Sequence, residues 1–268
     1  MESGGDSMNV SDLIREMLPE TCSIGQKVLF FDEIDSTNRL AKELAGNNEP
    51  HGTVLIADRQ TAGRGRLGKS FYSPDGGLYM SVILRPTEQI SDMMALTACT
   101  AAAIHTALSE FDITTKIKWV NDLFLNDRKI CGILCEGGFH PQSGRLDYLI
   151  IGIGLNLTRN ADVPQELRNI ITDIETETGL LIDRNSMAAA ILKQLAFQLS
   201  NLSERSFLST YTEHSYTLGK TVIVTHEGIE KTAEAIGFTQ DLGLIVLFSD
   251  GTEAVITSGT ARFPQDMP

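Results

Sequence analysis

The chain has 268 residues with 22 Lys and Arg against 35 Asp and Glu, a formal net charge of −13. That balance argues against a nucleic-acid binder, because affinity for a phosphate backbone is built from clustered cations that displace counterions. With 42% hydrophobic and 21% charged residues the composition is globular, neither disordered nor fibrous, and the length allows one large domain with a smaller one.

The first residues carry Glu2 and Asp6 and no apolar core of a signal peptide, and their Gly and Ser content reads as a frayed tail, residues 1–25. Ser36 or Thr37 can cap a short helix through Leu44, and Thr53 to Ala57 reads as a strand. A polar, Gly-rich loop follows from Arg59 to Gly77. Leu78 to Leu84 reads as a strand and Asp92 to Glu110 as a long core helix. The uncharged stretch Met93 to Ser109 is broken by Thr97, Thr100, His105 and Thr106, which favours a buried helix over a membrane span. Lys116 to Trp119 and Leu123 to Leu125 are short strands ahead of an Asn126-Asp127 turn. Lys129 to Cys135 and Leu146 to Ile153 are apolar and β-branched enough for central strands, and Asn185 to Leu202 has helical spacing. Beyond Tyr216 four short strand-like runs, Thr221 to Thr225, Thr232 to Phe238, Leu244 to Phe248 and Ala254 to Thr257, alternate with turn glycines, as in a small β-barrel.

Three segments carry chemistry. In Gly63-Arg64-Gly65-Arg66-Leu67-Gly68-Lys69, glycines let backbone N–H groups form an anion nest and arginine forks match phosphate or carboxylate oxygens. Gly63-x4-Gly68-Lys69-Ser70 also spells a Walker loop, but Pro74 and two glycines stand where its helix should begin, so the match is taken as chance. In Lys118-Trp119-Val120-Asn121-Asp122, followed by Lys129 and Gly132, the amide and carboxylate can meet ribose hydroxyls, a metal-bound phosphate or an amine, while Lys129 places a point charge on an oxyanion. Gly152-x-Gly154-x-Asn156 marks a close backbone approach at the end of a central strand. Each segment has a bland alternative as an ordinary loop, turn or strand end. Cys22, Cys99, Cys131 and Cys135 form no disulfide framework, and Cys131-x3-Cys135 lacks the second ligand pair a zinc site needs. A reduced, cytoplasmic setting is expected.

Together these segments resemble the biotin protein ligases. The resemblance runs from Asp35-Ser36-Thr37-Asn38, through Gln60-Thr61-Ala62-Gly63-Arg64-Gly65-Arg66 with Ser73-Pro74, to Lys118-Trp119, Asn121-Asp122, Lys129-x2-Gly132-Ile133-Leu134 and Gly152-x-Gly154-x-Asn156. It implies an α+β fold: a mixed β-sheet with flanking helices, class II synthetase-like, in a catalytic domain over residues 26–216, and an SH3-like β-barrel over residues 217–268. It also implies ATP and Mg²⁺ as co-substrate and counterion, biotin as substrate, and a biotin carboxyl carrier domain of a carboxylase as acceptor. Ser36, Thr37, Asn38, Gln60, Gly63, Arg64, Lys129, Gly132 and Leu134 would bind biotin. Arg64, Gly65, Arg66, Phe71, Asn121, Asp122 and Asn156 would bind the nucleotide, and Lys129, Arg64, Arg66 and Asp122 would carry the chemistry, with no metal ligand set assigned. Phe71 and Val120 stand where the family usually shows Trp and Pro. Only 35 residues precede Ser36, too few for the helix-turn-helix domain of the family's repressor members, so a monofunctional ligase without nucleic-acid or membrane partners is expected. A homodimer through sheet edges is allowed by the resemblance. The rival readings are a lipoate or octanoate ligase and a non-catalytic biotin or nucleotide binding module.

Overall fold

The computed structural model describes residues 9–86, 92–140 and 142–264. Strands β1 (Lys27–Ile34), β2 (Thr53–Gln60), β3 (Gly77–Leu84), β4 (Lys116–Lys118), β5 (Asp122–Leu125), β6 (Arg128–Phe139) and β7 (Leu146–Asn156) form one sheet, ordered β1-β2-β3-β7-β6-β5-β4. The pair β1 and β2 is parallel and every other pair is antiparallel. The parallel pair exists because helix α2 (Thr37–Gly46) carries the chain back between its strands, as a parallel pair requires.

Side chains alternate across each strand, so the sheet has two distinct faces. Leu78, Met80, Val82 and Leu84 of β3, with Ile151, Ile153 and Leu155 of β7, point into the main core under α3 (Met93–Ser109) and α5 (Arg184–Ser200). The opposite face receives Leu55, Ile83 and Ile150 against Ala41 and Ala45 of α2. Ser81, Gly132, Leu134, Gly152 and Gly154 fall in the same alternation on that second face. Where α2 ends its cover, three glycines leave the sheet bare.

The expected tail over residues 1–25 is corrected in its described part. Helix α1 (Val10–Met17) is capped by Asn9, whose Oδ1 accepts from Asp12 N at 3.0 Å, and it packs Ile14, fully buried, into the core. Val10, Leu13, Ile14 and Leu18 have the i, i+3, i+4 spacing of an amphipathic helix, a signal overshadowed by the Gly and Ser before them. Residues 1–8 lie outside the described residues. Strand β1, helix α4 (Ile174–Thr178) and helix α6 (Phe207–Glu213) were also not anticipated.

Strands β8 (Thr221–His226), β9 (Ile229–Phe238), β10 (Leu244–Phe248) and β11 (Glu253–Ile256) form a small antiparallel sheet in the order β11-β10-β9-β8, and a bridge from Ile223 to Arg262 curls the chain end back onto β8. This is the small C-terminal β unit that the strand spacing and turn glycines implied, consistent with the SH3-like kind that the resemblance named. It is joined to the large sheet through Trp119, whose Nε1 donates to Leu242 O at 2.9 Å and whose backbone N donates to Thr217 Oγ1 at 2.9 Å. The Tyr211 hydroxyl donates to Val120 O, and its ring meets Phe238 edge-on.

One core contact is pH-sensitive. His105 of α3 is buried, stacks on His214 at 3.9 Å between ring centroids, and shares a 2.9 Å hydrogen bond between Nδ1 and Thr115 Oγ1. Burial first, and the facing His214 second, push its pKa down to about 4. A depressed histidine contributes stability above its unfolded value near 6.5, and that contribution is lost as pH falls toward 4, in total roughly 3 kcal/mol. Urea unfolding at pH 7.5 and pH 5 should therefore show a larger loss for the native chain than for His105→Phe, which cannot titrate.

Candidate functional site

A cleft of about 280 Å³ opens over the glycine floor, close to the lower end of the roughly 300–1,000 Å³ usual for small-molecule sites. Ser36, Thr37, Asn38, Gln60, Arg64, Gly65, Arg66, Phe71, Asn121, Asp122, Lys129, Gly132 and Leu134, thirteen of the residues singled out from the sequence, line it together. The cleft has two chemically different ends.

One end is uncharged and built for hydrogen bonding. The β1–α2 turn places Ser36 as the cap of α2, with its Oγ accepting from Arg39 N, and Thr37 and Asn38 follow on the first turn, all three buried. Thr37 N donates to Gln60 Oε1 at 2.9 Å, and Gln60 Nε2 donates to Ser73 Oγ at 2.9 Å. Both ends of the Gln60 amide are thereby oriented. Asn38 lies against Gly152 so closely that a Cβ there would come within 2.2 Å of its Oδ1. Glycine is required at that floor position for close approach, not for a turn.

The other end is cationic. Arg64, Arg66, Lys69, Lys118 and Lys129 line the cleft against the single carboxylate of Asp122, in a chain whose net charge is −13. The loop after β2 forms a small hairpin: Phe71 N donates to Gly63 O at 2.9 Å and Gly65 N to Lys69 O at 2.7 Å. Arg64 forms no hydrogen bond or ion pair among the described residues, so its guanidinium is available to an anion. Arg66 donates to Asn121 Oδ1 at 2.9 Å and to Gly259 O of the C-terminal unit at 3.0 Å, so the loop arginine ties both units at the cleft mouth. Lys129 Nζ is ion-paired with Asp122 Oδ1 at 2.8 Å. Phe71 lies on the floor, where a Cβ on Gly154 would meet its ring at 2.4 Å and one on Gly132 at 2.8 Å, and Lys129 Nζ stands 5.5 Å from its centroid.

Two sequence candidates are placed elsewhere. Gly63 does not line the cleft; it is packed beneath the hairpin, where a Cβ would meet Phe71 O at 2.4 Å and Ser73 Oγ at 2.5 Å. Asn156 donates from Nδ2 to Thr172 O at 2.9 Å and lines a neighbouring cavity with Tyr72, Tyr79 and Arg128. Sequence reading quoted Ser73 within the motif without giving it a role, and it missed Ser81, Lys42 and Glu136, which with Ser73 hold the uncharged end, as well as Ile170 and Thr260, which also line the cleft. In the sequence Glu136 stands one residue beyond the apolar run 129–135 and reads there as a strand-end charge.

Over residues 30–156 the chain matches the biotin/lipoate A/B protein ligase family. It is similar across 88% of its length to the biotin protein ligase from Aquifex aeolicus solved in complex with biotin and ATP, covering 97% of that chain at 31% identity with a TM-score of 0.76. The chain therefore belongs to the biotin/lipoate A/B protein ligase family. It is 40% identical over 172 residues to the bifunctional ligase/repressor BirA of Bacillus subtilis, covering 52% of that protein. It is 28% identical over 241 residues to the biotin–[acetyl-CoA-carboxylase] ligase of Paracoccus denitrificans, covering 97% of it. The chain spans about half the length of the bifunctional ligase/repressor relatives it matches.

Proposed function

We propose that the protein is an ATP-dependent biotin–protein ligase. The observation that carries this reading is the two-ended cleft: a buried, uncharged hydrogen-bonding end suited to a cyclic urea, continuous with a cationic end suited to a triphosphate and a carboxylate. In the first half-reaction a biotin carboxylate oxygen attacks the α-phosphorus of ATP, the bond to the β,γ-phosphates breaks, and biotinyl-5′-AMP and pyrophosphate result. Two anions must approach each other, so the barrier falls only where fixed cations neutralise the crowded oxygens. Arg64, Arg66 and Lys129 fill that role here. In the second half-reaction the free amine of a carrier-domain lysine attacks the acyl carbon, AMP leaves, and an amide forms with release of the amine's proton, which Asp122, the carboxylate that lines the cleft, is placed to accept.

Magnesium fits this end as a companion of ATP. Among the described residues no cluster of three acidic, cysteine or histidine side chains could hold a metal by itself, and a cleft lined by one carboxylate, that of Asp122 beside Lys129, matches an ion held mainly by phosphates and water. When bound it supplies charge neutralisation to the departing pyrophosphate. We place Phe71 and Asn156 on the nucleotide side, since Phe71 lines the main cleft and meets edge-on, at 6.5 Å between ring centroids, Tyr79 of the cavity that Asn156 lines. A cytoplasmic location is supported by four free cysteines, three of them buried, and among the described residues no helix is long and apolar enough to cross a membrane. The partner we propose is the carrier domain of a biotin-dependent carboxylase. Incubated with biotin, ATP, magnesium and such a domain, the protein should add one biotinyl group to one lysine by mass spectrometry; an unmodified carrier beside accumulated AMP and pyrophosphate would contradict the acceptor assignment.

A further inference from the structure

The uncharged end of the cleft is a hydrogen-bond circuit whose direction depends on one carboxylate outside the ligand-lining set. Asn38 Nδ2 donates to Leu134 O at 3.2 Å and to Glu136 Oε2 at 3.0 Å, and Glu136 is in turn ion-paired to Lys42 of α2. Both N–H bonds of the amide are thereby committed, and Asn38 Oδ1 faces Ser81 Oγ at 2.6 Å. Ser81 is fully buried and has one proton for two neighbours, Asn38 Oδ1 and Thr37 Oγ1, the latter at 2.8 Å. An amide oxygen carries no proton of its own, so it takes the one from Ser81. Thr37 Oγ1 then gives its own proton to Ser81 Oγ at 2.8 Å rather than to Gln60 Oε1 at 3.1 Å, and Gln60 Oε1, accepting from Thr37 N, keeps its second lone pair, as Thr37 Oγ1 keeps its own, for the cleft.

Turning the Asn38 amide over reverses all of this. Its nitrogen would donate to Ser81, Ser81 would donate to Thr37, and Thr37 would donate to Gln60 Oε1 across 3.1 Å, using up two acceptors that face the ligand. The reversed amide is forbidden while Glu136 is present, because its oxygen would then face the Glu136 carboxylate and the Leu134 carbonyl, two groups without a proton to give. Burial acts to raise the Glu136 carboxyl, but Lys42 and the Asn38 amide outweigh it and hold it below the usual carboxylate range.

We propose that Glu136, anchored by Lys42, is a positioning residue that sets the polarity of this circuit, so that the uncharged end accepts hydrogen bonds from a ligand carrying N–H groups. This deepens, and rests on, the assignment of the cleft to biotin: a cyclic urea offers two N–H donors and a dithiolane offers none. A buried site built to pair such donors rejects an analogue that lacks them, because its own acceptors are left unpaired. The preference for biotin over lipoate is thus held partly by a residue that touches neither.

The test is biotin-dependent ATP–pyrophosphate exchange by the full chain and its Glu136→Leu, Glu136→Gln and Lys42→Met variants, each first shown to be folded by circular dichroism. Glu136→Leu removes the shorter and charged of the two acceptors and leaves only the 3.2 Å contact to the Leu134 carbonyl against reversal, so it should raise KM for biotin about tenfold while KM for ATP stays within about twofold. Glu136→Gln, whose Oε1 can still accept from Asn38, should recover most of the difference. Lys42→Met should fall between them and carries the test if Glu136→Leu does not fold. An unchanged KM for biotin in the leucine variant, equal rises in both KM values, or a glutamine variant as impaired as the leucine one would overturn the positioning role. Absence of exchange in the unaltered chain would overturn the biotin assignment itself, and this inference with it.

Discussion

Lys129→Ala should slow formation of the acyl-adenylate by about 10²–10³-fold, the size of effect seen when one preorganised charge or donor is removed from a developing oxyanion. The ammonium is held at the β6 start by backbone bonds on both sides, Lys129 N to Ile170 O and Thr172 N to Lys129 O, each 2.9 Å. Its side chain crosses the glycine floor to Asp122. Because it stands at the cationic end, away from the Thr37 and Gln60 network, KM for biotin should change little. The variant also leaves Asp122 as an unpaired anion where two further anions must approach, which adds repulsion to the lost attraction. Rapid-quench measurement of adenylate formation checks this directly, and turnover close to that of the native chain would remove Lys129 from the role.

Trp119→Ala should be the most damaging substitution for stability, at about 3–5 kcal/mol. Trp119 is 3% exposed and wedged between the large sheet and the C-terminal unit. Truncation opens a cavity at that junction and leaves the Leu242 carbonyl without its donor. Trp119→Phe keeps most of the volume and loses only the hydrogen bond, so it should cost about 1–3 kcal/mol. Urea unfolding followed by circular dichroism separates the three proteins, since this is the one tryptophan in the chain and its own fluorescence disappears with it. Equal midpoints for the alanine variant and the native chain would mean that the junction is not part of the cooperative core. The junction bears on catalysis too: it carries Asn121 and Asp122 into the cleft, and Arg66 reaches back from the loop to Gly259.

Most of the cleft was legible because its chemistry follows strand alternation. Gly132, Gly152 and Gly154 are spaced by two within their strands or paired across them, Gly132 opposite Gly154, so one run of sequence predicts one bare face. The Gly-Arg loop stood out for the same reason that it works, as clustered cations in an acidic chain. What stayed hidden depends on pairing between distant segments. Ser81 is one small hydroxyl in a strand buried throughout, and its meaning arises from register, since it lies opposite Gly152 and bonds Asn38. Glu136 looks like a charge at a strand end until β7 and α2 are placed around it. Asn156 shares a face with Gly152 and Gly154, yet its amide turns to Thr172, part of a connection whose path nothing local specifies. Helix α1 was lost to composition: a Gly and Ser start was extended over residues whose apolar spacing is helical.

The central claim is that the cleft activates biotin with ATP, and the most direct measurement is exchange of labelled pyrophosphate into ATP by the purified protein with magnesium, biotin in one tube and lipoate in another. The account predicts exchange with biotin and none above background with lipoate. Exchange with lipoate alone would contradict the reading of the uncharged end while leaving the acyl-adenylate chemistry in place, and exchange with neither would contradict the claim that this cleft is catalytic.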